Sequence, residues 1–327
     1  MNRRQQHSSA RSAHRRFPRI PWWTVALGYL CLFVTGAAQA ATSLLFIGNS
    51  FTFGWGSPVQ FYRAQTVTDL NGQGIGGVPA LFKVFTMEAG QDWEVSLETQ
   101  PGVGMDWHYA NRRELLTSRS WDHVTMMGYS LLDRAKPGDP ALLVQSAQQM
   151  AVLLQGVNPQ VDIQLEATFP RADQLYDAKG HWFGKSVDEM VHDIRAGYDL
   201  ASATHAAIHG VVPVGEAWAR AMRSGVADAN PYDGVDAGKV NLWTYDHYHA
   251  SAFGYYLKAL VMFGHFTQLD PRILGAGECA AYELGFSPAQ ASALQQVAFE
   301  QLLSAGRMKP AAALTPVASP QRRCPAA

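Results

Sequence analysis

The run Leu44-Leu45-Phe46-Ile47-Gly48-Asn49-Ser50-Phe51-Thr52 decides how this chain is to be read. Four consecutive apolar residues suit a strand buried on both faces, as in a parallel sheet covered by helices. The strand ends in Gly-Asn-Ser, so a hydroxyl is delivered at the carboxyl edge of the sheet, where open α/β folds place their ligands. Far downstream the chain reads Asp246-His247-Tyr248-His249 and runs into a helix-like stretch. An Asp and a His spaced i, i+3 share one turn and can meet that hydroxyl together.

A serine hydroxyl is a weak nucleophile until a base takes its proton, and the base works best when an acid fixes its tautomer and orientation. Ser50 is therefore read as nucleophile, His249 as base and Asp246 as orienter. Taken alone, such a serine would be a turn or helix-cap residue; strand, Asn49 and the Asp/His pair together favour catalysis. The same Asp-His-Tyr-His cluster could bind a metal, and His247 competes with His249 for the role of base. His205 and His209 form a further pair at i, i+4, read here as charges suited to a helix C-terminus. A metal-dependent hydrolase would instead recruit His205, His209, His247 and Asp246.

Ser50 within Gly48-Asn49-Ser50, with Asp246 and His249 in an Asp-x-x-His block followed by Ser251 and Gly254, resembles the SGNH (GDSL-like) hydrolases over residues 43 to 265. The resemblance selects His249 over His247. It implies an oxyanion hole made by the backbone N–H of Ser50, a glycine of a second block and a side chain of a third. Gly102-Val103-Gly104-Met105-Asp106 is similar to the second block, with Gly104 taken over Gly102. At the third block the family carries Asn, and this chain has Gly128-Tyr129-Ser130-Leu131, so Ser130 stands in its place. Gly128-Tyr129-Ser130-Leu131-Leu132 also half-resembles the Gly-x-Ser-x-Gly elbow of α/β-hydrolases but lacks the final Gly that allows the strained turn.

The first 40 residues carry six arginines and no acid, then an apolar run from Trp22 to Ala38 and an Ala38-Gln39-Ala40 cleavage pattern. That composition predicts a secretory signal peptide over 1–40 and a secreted or periplasmic protein without a stable membrane anchor. Its removal takes the formal charge from −1 (26 basic against 27 acidic side chains) to −7 (20 against 27). An acidic chain without a basic patch argues against nucleic acid as a partner. Cys279 and Cys324 would remain as an even pair in an oxidising compartment, which predicts a disulfide.

Apolar runs of strand length recur at 43–48, 94–99, 123–129, 161–168 and 210–215. Between and after them, apolar residues at three- and four-residue spacing predict helices at 78–89, 107–117, 140–155, 185–206, 251–264 and 287–304. The alternation predicts a three-layer α/β/α sandwich around a parallel five-stranded sheet, flavodoxin-like, as one domain over 41–307. The glycine-rich stretch 54–77 reads as a surface insertion or lid, and 308–327 as a disordered tail. Trp55, Trp107 and Trp243, each near a proposed site loop, and His108 with Glu166 and Arg171 are candidates for a substrate cleft, against ordinary core or loop roles.

These readings converge on a secreted serine esterase that cleaves small acyl esters, acetyl above all, of carbohydrates, needing no cofactor and no metal. A general aryl or lipolytic esterase and a non-catalytic glycan-binding relative are the alternatives.

Overall fold

The computed structural model describes residues 41–309 and Cys324. The expected signal peptide lies outside the described residues, as does nearly all of the expected tail. Six strands form one parallel sheet: β1 (Thr42–Gly48), β2 (Thr68–Asp69), β3 (Trp93–Thr99), β4 (His123–Met126), β5 (Asp162–Glu166) and β6 (Ile208–Val212), in the order β2-β3-β1-β4-β5-β6. The five long strands are those expected. The sixth, β2, is two residues at the edge, too short to leave an alternation in sequence.

Among the described residues eleven α-helices accompany the sheet: α1 (Ser50–Phe53), α2 (Gly77–Glu88), α3 (Met105–Asn111), α4 (Arg113–Leu116), α5 (Ala141–Gln155), α6 (Ala172–Tyr176), α7 (Val187–Ser202), α8 (Val214–Arg223), α9 (Ala252–Thr267), α10 (Cys279–Glu283) and α11 (Pro288–Ser304). Strand alternation sorts them into two layers. Leu44 and Phe46 of β1 enter a core with Leu81 and Phe85 of α2, Trp218 of α8, Leu257 and Leu260 of α9 and Leu294 of α11. Leu45 and Ile47 point the other way, to Met105 of α3, Leu143 and Met150 of α5 and Met190 and Ile194 of α7. Because β1 lies between β3 and β4, the loop that follows it opens in the middle of the carboxyl edge.

Several boundaries differ from expectation. The strand expected over 123–129 stops at Met126, and 127–130 leave the sheet as a site loop. The helix expected over 185–206 ends at Ser202, so His205 follows it while His209 lies on β6. The run 210–215 is split by Pro213, which ends pairing and starts α8; that helix had been hidden in the strand reading. Residues 54–77 are not a detached flap: Val59 and Ile75 are buried in the main core, and β2 within this stretch pairs with β3. Cys279 and Cys324 are joined as a disulfide with Cα atoms 5.4 Å apart. Among the described residues no helix is long and apolar enough to cross a membrane.

Candidate active site

Asn49 ties the site loops together. Its side-chain oxygen accepts from Phe51 N–H at 3.0 Å and so caps α1, while its amide donates to the carbonyls of Val103 at 2.9 Å and Gly128 at 3.3 Å. The buried amide thus satisfies backbone groups from the loops after β1, β3 and β4 at once. Behind it, Tyr255 of α9 donates to the carbonyls of Ser50 and Trp55, and Lys258 donates to that of Phe51 at 2.8 Å. The turn carrying Ser50 is therefore fixed from both sides.

His249 arrives on a second, self-bracing turn. Asp246 Oδ1 accepts the backbone N–H groups of Tyr248 and His249 at 3.0 and 2.9 Å, and His247 sits at φ 57° to close the turn. The other carboxylate oxygen accepts from His249 Nδ1 at 2.6 Å, and His249 Nε2 lies 2.9 Å from Ser50 Oγ. Once Nδ1 carries the proton toward Asp246, Nε2 is left to accept the serine's. Ser50 and His249 are 6 % and 7 % exposed, enough for a ligand to reach and too little for bulk water to dominate.

Burial pushes the His249 imidazole below its usual value, and the neighbouring Arg171 charge adds to that. The hydrogen bond and charge of Asp246 work in the opposite direction without overcoming it. For Asp246 itself, burial works against the charge, but the hydrogen bonds from His249 and Tyr248 hold its carboxyl below the usual value. A neutral base beside an ionised acid is the state a triad needs at neutral pH.

Both residues open onto a cleft of about 460 Å³ lined by Trp55, Gly102, Tyr129, Ser130, Arg171 and Tyr248 among others. The Trp55 ring lies tilted against the His249 imidazole, ring centroids 4.3 Å apart. Three other expected cleft residues are elsewhere. His108 is fully buried, its Nδ1 paired with Glu98 and its Nε2 3.0 Å from the Gly48 carbonyl oxygen, so it braces the nucleophile strand from below. Trp243 is 1 % exposed, donates its indole N–H to the Pro170 carbonyl and packs on Trp218. Trp107 is half-buried under the Arg112 guanidinium and does not line the cleft.

Gly102 lines the cleft and Gly104 does not. A Cβ at Gly104 would come within 2.7 Å of the Tyr129 ring. Gly104, expected as an oxyanion donor, packs against the Tyr129 ring. Ser130 reaches the cleft, and its Oγ accepts from Arg171 Nη1 at 3.1 Å. The Ser50 N–H, at the first position of α1, meets no acceptor among the described residues.

The suggested metal constellation does not assemble. His209 contacts Asp162 at the amino end of β5, His205 accepts from Ala207 N–H, and His247 stacks on Tyr232. Among the described residues no group of three His, Cys, Asp or Glu side chains is placed to hold a metal. Glu166 is also withdrawn from the cleft, buried 2.5 Å from Lys258 Nζ. Sequence reading missed Tyr129, Tyr248 and Lys258. The two tyrosines were adjacent to named residues, and Lys258 is the one ammonium in the apolar stretch Tyr255–Phe263.

No protein-family profile and no curated protein matches the sequence. Solved structures do match. A DUF4886 family protein from Bacteroides uniformis is 15 % identical and superimposes with a TM-score of 0.55 over 82 % of this chain and 97 % of its own. A family 3 carbohydrate esterase from Clostridium thermocellum is 13 % identical, with a TM-score of 0.46 over 69 % of this chain and 96 % of its own. An acetyl-xylooligosaccharide esterase from Geobacillus has 14 % identity and a TM-score of 0.44 over 68 % and 92 %. The chain has a three-layer α/β/α fold of the kind seen in the DUF4886 family structure, with a parallel sheet of six strands where five had been expected.

Proposed function

We propose that this protein is a serine esterase acting on small acyl esters. The observation that carries the reading is the unbroken relay from Ser50 Oγ through His249 to Asp246, at 2.9 and 2.6 Å, opening onto a solvent-accessible cleft. His249 Nε2 takes the Ser50 proton as Oγ attacks the ester carbonyl. The tetrahedral oxyanion is met by the Ser50 N–H and the Ser130 hydroxyl. Its collapse breaks the bond to the alcohol oxygen, which takes the proton from His249, and leaves an acyl-enzyme. Water, deprotonated by the same imidazole, then attacks the acyl carbon and releases the carboxylic acid and Ser50.

Carbohydrate alcohols are the substrate class we favour. Trp55 and Tyr248 line the cleft, and Tyr245, 76 % exposed, lies beside Trp55 with ring centroids 6.2 Å apart. Amphipathic rings at a wet rim suit the apolar face of a sugar. Export directed by residues 1–40 belongs to the same reading, since acetylated polysaccharides lie outside the cytoplasm.

The test is turnover of p-nitrophenyl acetate, butyrate and octanoate beside acetylated oligosaccharides, on wild type and Trp55→Ala. The expected result is kcat/KM falling from acetate to octanoate, with Trp55→Ala harming acetylated glycans more than p-nitrophenyl acetate. Preference for octanoate makes the protein a lipolytic or general esterase. Glycan binding with no ester turnover makes it a non-catalytic relative.

A further inference from the structure

The third oxyanion position holds a serine whose single hydroxyl proton can swing, a poorer donor than a planar amide unless something holds it. Arg171 supplies the hold. Its Nε donates to Asp173 Oδ1 at 2.9 Å, Nη2 donates to the other carboxylate oxygen, and Nη1 donates to Ser130 Oγ at 3.1 Å. Asp173 is itself fixed by Gln174 at 3.0 Å, and the guanidinium carbon lies 3.6 Å from the centre of the Tyr248 ring. A planar cation pinned on two edges and one face has one orientation.

The consequence falls on Ser130. One lone pair of its oxygen is occupied by the guanidinium N–H, so its own proton must point away from Arg171. Among the described residues that proton has no acceptor, although Ser130 is only 8 % exposed and lines the cleft beside Ser50. A buried donor aimed at nothing in the resting protein is suited to charge that appears only during reaction. We infer that Arg171 is a positioning residue that orients and polarises the Ser130 hydroxyl, so that the Arg171–Ser130 pair replaces the asparagine amide of the oxyanion hole. The inference rests on the esterase reading above.

Steady-state kinetics with p-nitrophenyl acetate on wild type, Ser130→Ala, Arg171→Gln, Arg171→Lys and the Ser130→Ala/Arg171→Gln and Ser130→Ala/Arg171→Lys doubles tests it. Ser130→Ala and Arg171→Gln should each lower kcat about ten- to a hundred-fold with KM little changed, the lower part of the range for losing a preorganised donor. The Gln double should be no worse than about three-fold below the weaker single, because the two act as one unit. Arg171→Lys should lose kcat as well, since one ammonium cannot span Asp173 and Ser130 while stacking on Tyr248.

A pH profile separates this from mere support of the fold. The charges facing His249 are Asp246, Arg171 and Asp173, and the Arg171 charge depresses the imidazole. Arg171→Gln should therefore move the acid limb of kcat/KM to higher pH, and Arg171→Lys should leave it near the wild-type position. Should Arg171→Gln not fold, the Lys variant in wild-type and Ser130→Ala backgrounds decides: no further loss in the second background is expected. Losses that multiply, a change in KM alone, or wild-type kcat in Arg171→Lys would overturn the inference while leaving the esterase intact. A wild type that turns over no ester would overturn both.

Discussion

The ammonium of Lys258, in the middle of the apolar helix α9, donates to the carbonyl oxygen of Phe51 at 2.8 Å and pairs with the buried carboxylate of Glu166 at 2.5 Å. Phe51, the residue after Ser50, is thereby tied to β5 through a buried ion pair. Burial lifts the Glu166 carboxyl above its usual value and pushes Lys258 below its own, while the opposite charge of each partner resists the change. Removing one partner leaves the other uncompensated. Lys258→Met should cost about 3–5 kcal/mol of unfolding free energy. The double change Lys258→Met/Glu166→Leu should recover most of it, as read by denaturant titration. Equal losses in single and double variants would show that the pair is not the source.

Nucleophile and base should fail as one unit. Ser50→Ala should abolish nearly all ester turnover with folding intact, because among the described residues the hydroxyl is hydrogen-bonded to His249 alone. His249→Ala should match it, and the double should be hardly worse than either. Single-turnover assays on all three variants check this. A strictly multiplicative double would separate the two residues.

The pH dependence follows from the direction of the His249 shift. The base must be neutral to accept the Ser50 proton, and burial with the nearby Arg171 charge depresses its value below the ordinary imidazole range. Activity should hold on acidification past about pH 6.5, the unperturbed imidazole value, and fall only below it. An acid limb of kcat/KM centred above the ordinary histidine value contradicts the site as described.

Stability should show a separate acid dependence from His265. This imidazole is 4 % exposed, bonds Gln164 at 3.1 Å, and is held down to about 3 by burial first and by the Arg307 charge next. The unfolded chain binds a proton at the ordinary histidine value and the folded one does not, so the contribution is present above that value. It is lost as pH falls toward 3, at about 1.4 kcal/mol per pH unit. His265→Gln should flatten that slope in urea titrations between pH 6 and 4, and an unchanged slope would assign the acid sensitivity elsewhere.

Trp243→Ala should report on the core and not on substrate choice. The indole fills the space beside Trp218 and donates to Pro170, so its loss should cost about 3–5 kcal/mol while the ratio of activities on glycan and p-nitrophenyl acetate stays that of wild type. A changed ratio at full stability would return Trp243 to the cleft.

The disulfide gives a chemical test. Protein beginning at residue 41 should show no titratable thiol when denatured without reductant, since Cys279 and Cys324 are its two cysteines and they are joined. The bond spans 45 residues, and closing a loop of that size in the unfolded chain corresponds to about 4 kcal/mol in the chain-entropy account. Reduction should lower the unfolding free energy by up to that amount. Two thiols per chain would remove the bond.

The sequence by itself determined the parts whose physics is local. The order of apolar runs and amphipathic stretches specified a parallel α/β sandwich, because each period of two or 3.6 residues records which faces are buried. Ser50 and Asp246 could be named because a strand end and a single turn present their side chains in fixed directions, while the choice of His249 over His247 came from the resemblance to the SGNH hydrolases. Tertiary packing decided what depends on two distant segments meeting. A tryptophan is equally apolar at a rim or in a core, so Trp55 came to the cleft and Trp243 to the interior only through what packs on each. Strand alternation sends Gln164 and Glu166 to the α9 face, yet that they meet His265 and Lys258 is set by where α9 crosses the sheet. Gly104 came to lie against the Tyr129 ring, and Arg171 met Ser130 across the loops after β4 and β5. These contacts join residues far apart in the chain, and no local pattern encodes the distance between them.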